Sequence, residues 1–134
     1  YIAVGHTNSY GAGNNDFFLL KINSNGDSLW SNVYGGTGTD YGRHVVQTMD
    51  QGFAIFGYTD SYGELGGFNN WLLKVNSNGN LDWDRYYGGS GDDRGLYGIE
   101  ASDGGYAITG FIRDSNNSTD IMVIKTDNLG QLLE

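Results

Sequence analysis

The feature that most constrains this chain is a stretch of twelve residues that occurs twice with little change. Residues 19–30 read LLKINSNGDSLW, and residues 72–83 read LLKVNSNGNLDW. A shorter and altered copy, VIKTDNLGQLL, occupies residues 123–133. An apolar run, a lysine, a glycine-containing turn and a second apolar run are typical of a β-hairpin. Three such hairpins at a regular interval predict a repeat protein.

The repeat extends beyond the hairpin and has a period of about 53 residues. Lys21, Lys74 and Lys125 lie 53 and 51 residues apart, and the apolar runs that open each copy keep a similar interval. We therefore treat the chain as one domain, residues 1–134, with repeats at residues 1–52, 53–105 and 106–134, the last of them incomplete. It is expected to be a segment of a longer array.

Each full repeat predicts four short strands and no helix. The 23 glycines and the absence of proline suit short strands joined by tight turns. The predicted fold class is all-β, namely a β-propeller segment of four-stranded antiparallel blades with two full blades and half of a third. The second strand of each repeat is almost continuously apolar, which predicts that both of its faces are covered. Trp30 and Trp83 are expected to fill the space between adjacent blades.

The charge and the cysteine content exclude several classes of function. A formal net charge of −9 is the wrong sign for a nucleic-acid partner or an anionic membrane surface. No apolar run is long enough for membrane insertion as a helix. Because the chain has no cysteine, it has neither disulfides nor thiolate metal sites.

The order of motifs resembles a known repeat family. Each copy contains an apolar strand, an Asp or Asn before a second strand that ends in Lys, an Asn-x-x-Gly or Asp-x-x-Gly turn, and in the two full copies Trp, Tyr-Gly-Gly and then Asp-x-Gly. This order resembles the seven-bladed β-propeller (SBBP) repeats of secreted and cell-surface bacterial and archaeal proteins. The resemblance implies an extracellular location, often in an arm or stalk of a large protein, and no assigned catalytic activity.

Two glycine-rich segments, residues 35–40 and 88–93, are similar to the start of a calcium-binding nonapeptide. That motif stacks successive nine-residue turns, whereas here the next copy lies 53 residues away. A single structural calcium ion at Asp40, Asp92 or Asp93 stays open, because carboxylate oxygens suit calcium. The alternative is that these carboxylates cap backbone N–H groups within the turn. No other cofactor is expected.

The remaining chemistry-bearing residues give no catalytic constellation. His6 and His44 occupy different places in the repeat, where the next copy has Tyr58 and Tyr97, so neither a metal centre nor a triad is predicted. Carboxylates that keep the repeat are interpreted as structural. Single residues that depart from the repeat are interpreted as solvated surface, and these are Glu64, Glu100, Arg43, Arg94 and Arg113.

Two loops supply the candidates for ligand binding and modification. Tyr10 and Tyr62 lie in the variable, polar loops that follow the first strand of their repeats. Asn116 and Asn117 begin two overlapping N-glycosylation sequons, for which chance is the competing explanation in a chain so rich in Asn and Ser.

The function predicted from these observations is a non-enzymatic extracellular structural or interaction module. Its partners are expected to be other blades of the same chain, further copies through self-association, a protein or a surface glycan. One alternative is a glycan-binding propeller. Another is a fragment of a propeller hydrolase or of a quinone-dependent dehydrogenase, whose tryptophan-docking motif has a similar Gly-to-Trp spacing to residues 26–30 and 79–83.

Overall fold

A computed structural model describes residues 1–63, 67–114 and 116–133. The described residues form ten strands and no helix, which confirms the predicted all-β class. The strands are β1 (Ile2–Thr7), β2 (Asp16–Ile22), β3 (Ser28–Tyr34), β4 (Asp40–Gln47), β5 (Phe53–Thr59), β6 (Asn69–Val75), β7 (Leu81–Tyr87), β8 (Asp92–Glu100), β9 (Tyr106–Arg113) and β10 (Thr119–Lys125). All paired strands are antiparallel.

The strands form three sheets, and these are not divided as the repeat predicted. The first sheet is β1-β2-β3, the middle sheet is β4-β5-β6-β7, and the third sheet is β8-β9-β10. The prediction of two four-stranded blades followed by half a blade is therefore wrong for this segment, because β4 pairs with the strand that opens the next repeat. The ten strands are grouped as three, four and three.

A short turn explains why β4 joins β5. The Thr48 amide donates to the Gly52 carbonyl at 3.0 Å, and Gln51 adopts a φ of 67°. The equivalent link between β8 and β9 has the same bond, from the Ala101 amide to the Gly105 carbonyl at 2.8 Å. These five-residue turns bring the flanking strands back beside each other, as a hairpin loop requires.

The repeated twelve-residue stretch forms the same hairpin in both full copies. The Asn23 amide donates to the Asp27 carbonyl at 3.0 Å, and the Asn76 amide donates to the Asn80 carbonyl at 2.9 Å. Gly26 and Gly79 have φ values of 90° and 80°, which a residue with a side chain adopts at a cost. Strand pairing across these turns has a register shift at the same place, after the repeated lysine.

Two apolar layers separate the three sheets. Phe17 and Leu19 of β2 pack against Phe53, Ile55 and Trp71 of the middle sheet in the first layer. The second layer lies on the opposite face of the middle sheet and contains Ala54, Phe56, Leu72, Tyr87, Tyr106 and Ile108. The middle sheet is thus covered on both faces, and every residue of β5 and β6 is buried.

Both repeated tryptophans lie between sheets, as expected. The Trp30 ring meets the Phe53 ring with centroids 6.0 Å apart, and the Trp83 ring meets the Tyr106 ring at 5.7 Å. Each pair joins the last strand of one sheet to the opening apolar run of the next repeat. The indole rings therefore serve as packing between successive sheets.

The outer faces of the first and third sheets are not covered by any part of the chain that the structure describes. In β10, Ile121 is 86% exposed and Val123 is 71% exposed, although the equivalent residues of β6, Asn70 and Leu72, are fully buried. The prediction that the second strand is covered on both faces therefore holds for β6 but not for β10. The difference comes from the presence of a neighbouring sheet and not from the sequence of the strand.

Candidate functional site

The Tyr62 loop meets two aromatic residues of the middle sheet. Tyr62 follows β5, while Trp71 and Tyr86 are directly paired across β6 and β7. The Tyr62 ring lies 5.5 Å from Trp71 and 5.3 Å from Tyr86. Trp71 is buried, whereas Tyr62 and Tyr86 are each more than a third exposed. The three residues form an aromatic cluster with two accessible rings.

A carboxylate is fixed at the edge of this cluster. Asp84 accepts hydrogen bonds from Trp71 Nε1 at 3.1 Å and from the Tyr86 hydroxyl at 2.5 Å. Burial and then the bond to Asp84 raise the pKa of Tyr86 well above its ordinary value, so this hydroxyl stays protonated. Asp84 therefore presents a fixed acceptor beside two exposed rings, an arrangement that could bind a sugar by stacking and hydrogen bonding.

Tyr62 also reaches a buried acidic pair. Its hydroxyl donates to the Gly35 carbonyl at 2.9 Å, and Gly35 lies between the side chains of Asp16 and Asp40. Both aspartates are almost completely buried. Burial raises the pKa of Asp40, and the negative charge of Asp16 adds to the effect. Asp40 is one of the calcium candidates predicted from the sequence, whereas Asp16 is not among them.

The other two calcium candidates are engaged by groups of the protein. Asp92 accepts from the Phe68 amide at 3.1 Å and pairs with Arg94 at 2.8 Å. Burial opposes the effect of these partners, but together they lower the pKa of Asp92. Asp93 accepts from the Gly89 amide at 2.7 Å. The Asp93 contact agrees with the alternative interpretation, in which the carboxylate caps the glycine-rich turn, whereas Asp92 binds the neighbouring loop at Phe68.

Tyr10 lies on a different surface from Tyr62. It is 71% exposed and borders a groove of about 430 Å³ on the outer side of the first sheet. The groove is also lined by Phe18 and Val33. The two tyrosines predicted together as loop candidates therefore belong to separate surfaces.

A cleft of about 340 Å³ lies near the other end of β6, around a buried lysine. Lys74 Nζ lies 2.8 Å from Asp50 and 3.5 Å from Asp82, and only 5% of its side chain is exposed. Although burial acts in the opposite direction, the bonds from Lys74 and Thr48 lower the pKa of Asp50 to about 2. The third repeat keeps the pairing, with Lys125 2.8 Å from Asp103. This repetition indicates a structural role.

Glu100 and Arg94, two of the residues that depart from the repeat, make specific contacts. Glu100 accepts from the Met49 amide at 2.7 Å at the edge of this cleft. Arg94 lies over the rings of Tyr58 and Phe68, with its guanidinium carbon 5.1 Å and 4.6 Å from their centroids. Arg94 is thus a partly exposed residue that packs on aromatic rings and pairs with Asp92, and not a purely solvated one. Glu64 lies outside the described residues.

Arg43 and Arg113 also lie over aromatic rings. The guanidinium carbon of Arg43 is 5.0 Å from the Tyr58 centroid, and that of Arg113 is 6.0 Å from the Phe111 centroid. Arg43 is exposed and Arg113 is partly exposed. Their alkyl stems and guanidinium planes therefore cover ring surface while keeping access to solvent.

The histidines are in aromatic contacts. His44 stacks on Tyr97, its own counterpart in the next repeat, with centroids 3.8 Å apart. His6 meets Tyr41 edge to face at 4.7 Å. Within residues 1–63, 67–114 and 116–133, no three side chains of His, Cys, Asp or Glu are grouped so that they could hold a metal ion.

The sequon loop is accessible. Asn116 and Asn117 are both exposed, and Asp114 accepts from the Asn116 amide at 2.9 Å, which fixes the turn. No helix suited to crossing a membrane occurs in the described part of the chain.

No protein-family model matches the chain, and no curated protein matches it significantly. The resemblance to SBBP repeats therefore rests on the sequence motifs alone.

Proposed function

We propose that this chain is a β-propeller segment that acts as a non-enzymatic extracellular scaffold, with both outer faces covered by further sheets of the same kind. One observation carries the proposal. Leu72 is fully buried by the third sheet, whereas its counterpart Val123 is 71% exposed. A β-strand residue with a fully buried equivalent in the preceding copy implies a missing neighbour.

The two outer faces are complementary and not identical. The exposed face of the third sheet is the one that carries Val123, the counterpart of Leu72. The first sheet exposes the opposite side, where Ala3 is the counterpart of the buried Ile55. At both existing interfaces, the face that carries Leu19 or Leu72 packs against the face of the next sheet that carries Ile55 or Ile108. Head-to-tail stacking of further sheets repeats that contact, and a closed ring of such sheets is a propeller.

The extracellular part of the proposal comes from the motif order and its resemblance to SBBP repeats. A cysteine-free and strongly acidic chain is compatible with display on a cell surface. The alternative of a quinone-dependent dehydrogenase fragment gains no support from Trp30 and Trp83, because both rings are engaged between sheets. No described contact favours a hydrolase fragment.

Cross-linking of single-cysteine variants tests the head-to-tail contact. The chain has no cysteine, so Ala3→Cys and Val123→Cys each introduce one unique thiol. Leu19 with Ile55, and Leu72 with Ile108, belong to the two existing interfaces and are the counterparts of Val123 with Ala3. We expect a short bismaleimide to link the two variants into dimers when they are mixed.

The separate variants are the controls for this experiment. A head-to-tail contact brings position 3 of one chain to position 123 of another, so neither variant alone should give dimers above the background. Dimers that form equally well from one variant would indicate a two-fold contact and reject the proposal. The absence of mixed dimers over a wide range of protein concentrations would also reject it.

A second function, glycan binding, is favoured by the aromatic cluster of Tyr62, Trp71 and Tyr86. Two exposed rings 5.3 Å apart beside the fixed carboxylate of Asp84 provide a stacking surface and an acceptor for sugar hydroxyls. We infer that Tyr62, and not Tyr10, belongs to this surface.

Screening on a glycan array followed by titration tests glycan binding. Removal of one stacking ring typically costs about 1 kcal/mol, so Tyr86→Ala should weaken binding by roughly 5- to 10-fold. Tyr86→Phe should retain most of the affinity, and Tyr10→Ala, on the separate groove, should leave it unchanged. If no glycan binds, or if only Tyr10→Ala weakens the binding, this function is excluded.

A further inference from the structure

Two buried carboxylates meet where the first sheet adjoins the middle sheet. Asp16 begins β2 and Asp40 begins β4, and a parallel bridge between Asn15 and Thr39 holds these strand ends together. The Asp40 amide donates to the Asn15 carbonyl at 2.7 Å, which fixes the approach. Asp16 is 1% exposed and Asp40 is 0% exposed.

The two side chains converge on one glycine. A Cβ atom built on Gly35 would stand less than 3.0 Å from both Asp16 Oδ1 and Asp40 Oδ2. Only a glycine at this position leaves room for the two carboxylates to face each other. The glycine thus leaves the two carboxylates beside each other, as two ligands of one calcium ion must be, because Ca–O distances are about 2.3–2.6 Å.

Each carboxylate has a buried oxygen that is not fully paired. Asp16 Oδ1 and Asp40 Oδ1 have no hydrogen bond of normal geometry. The Thr59 hydroxyl, which faces Asp40 across the pairing of β4 with β5, also favours the charged form of Asp40. The ion pairs formed by the described lysines and arginines involve Asp50, Asp82, Asp92 and Asp103, and neither member of this pair. Two neighbouring carboxylates without a cation cannot both stay ionised in a buried site without a large cost.

The hydrogen bonds to Asp40 are those of an ionised carboxylate. Asp40 Oδ2 accepts from the Gly36 amide at 2.9 Å and from the Ser61 hydroxyl at 2.8 Å. Such donors favour the charged form, which a shared proton would partly remove. A positive ion between the side chains would satisfy both incompletely paired oxygens and keep both charges.

We propose that Asp16 and Asp40 bind one divalent cation of the calcium type at the junction of the first and middle sheets. Calcium takes six to eight oxygen ligands and accepts water among them, so two carboxylates with the nearby hydroxyls of Ser61 and Tyr62 are a sufficient protein contribution. The bound ion would fasten the start of β2 to the start of β4. This inference does not depend on the proposed function.

The second repeat provides an internal comparison. Asn69 and Asp93 occupy the positions of Asp16 and Asp40, and a Cβ on Gly88 would likewise approach an oxygen of each. An amide has replaced one carboxylate there, which removes one negative charge. We therefore expect one calcium ion per chain and not two.

Calorimetric titration of the chelator-treated chain with calcium chloride tests the site. The unmodified chain should bind one ion with a Kd of roughly 10⁻³ M or tighter, and calcium should raise its thermal unfolding midpoint. Asp16→Asn gives the first repeat the chemistry of the second and should weaken binding at least tenfold. Asp40→Asn should do the same.

Asp92→Asn is the matched control. It also replaces a partly buried carboxylate by an amide, but this carboxylate pairs with Arg94 and lies outside the proposed site. The calcium affinity of this variant should equal that of the unmodified chain. Circular dichroism of each variant checks that the sheets are retained. If the unmodified chain shows no saturable binding, or if binding persists in both Asp16→Asn and Asp40→Asn, the proposal is wrong and the pair shares a proton instead.

Discussion

Truncation of Leu72 to alanine is expected to lower the free energy of unfolding by about 3 kcal/mol, whereas Val123→Ala should change it by less than about 0.5 kcal/mol. The two residues hold equivalent places in the repeat. Leu72 is fully buried between the middle and third sheets, and Val123 is 71% exposed. Leu72→Ala removes apolar atoms from a packed interface and leaves a cavity, but Val123→Ala removes atoms that already contact water.

Urea denaturation followed by tryptophan fluorescence measures both changes, at a protein concentration low enough to keep the chain monomeric. Because both variants replace an aliphatic residue by alanine in the same sequence, their effects on the unfolded state should be similar. Similar losses for the two variants would show that the third sheet does not cover the middle sheet as described. Under the head-to-tail proposal, the effect of Val123→Ala should grow as the protein concentration rises.

The second large effect is expected from Gly98→Val, which should lower stability by about 2 kcal/mol. Gly98 is buried in β8, and a side-chain carbon at this position would overlap the Phe56 ring, which is itself fully buried. In the preceding interface the equivalent positions carry Val45 and Val4, and both pack against its core. The two interfaces thus fill a similar space with different pairs of residues, Gly with Phe and Val with Val.

A double-mutant cycle tests this size complementarity. Phe56→Val alone should lower the stability by leaving a cavity. The double variant Phe56→Val with Gly98→Val should lose roughly 1–2 kcal/mol less stability than the sum of the two single losses. Gly5→Val is the control, because a Cβ there meets no atom within 4 Å, and its effect should stay within about 0.5 kcal/mol. Strictly additive losses for the two substitutions would contradict direct packing of position 98 on Phe56.

The hairpins were predictable because their determinants are local. In residues 19–30 and 72–83 the glycine supplies the positive φ and the flanking apolar runs supply the strands, so the fold of this stretch depends on few distant residues. Counting outward from the turn at residues 76–80 would place Trp71 opposite Arg85, however, and the register shift after Lys74 places it opposite Tyr86. The aromatic cluster was therefore not predictable from the turn alone.

The grouping of the strands into sheets was not predictable from the repeat alone. A repeat can be divided at any point along its period, and the apolar run after Gly52 was only one possible start. The glycine-rich link at residues 35–39 and the link at residues 48–52, which ends in one glycine, both look like turns in sequence. The structure shows that the second link closes a hairpin, while the first leads from the first sheet to the middle sheet.

The acidic pair was missed for a different reason. Asp16 and Asp40 are 24 positions apart, on strands of different sheets, and the bridge between residues 15 and 39 brings them together. No periodic or local signal marks such a contact. The one available sign was that Asp16 is replaced by Asn69 in the next copy, while Asp40 is kept as Asp93.

The unlike outer faces have a consequence for how a chain of this kind can change over generations. The middle sheet already packs against both a predecessor and a successor, so under the head-to-tail proposal duplication or deletion of a whole 53-residue unit would create only contacts of a type that is already present. Unequal recombination between the nearly identical hairpin-coding segments could therefore alter the number of units without any new surface having to evolve.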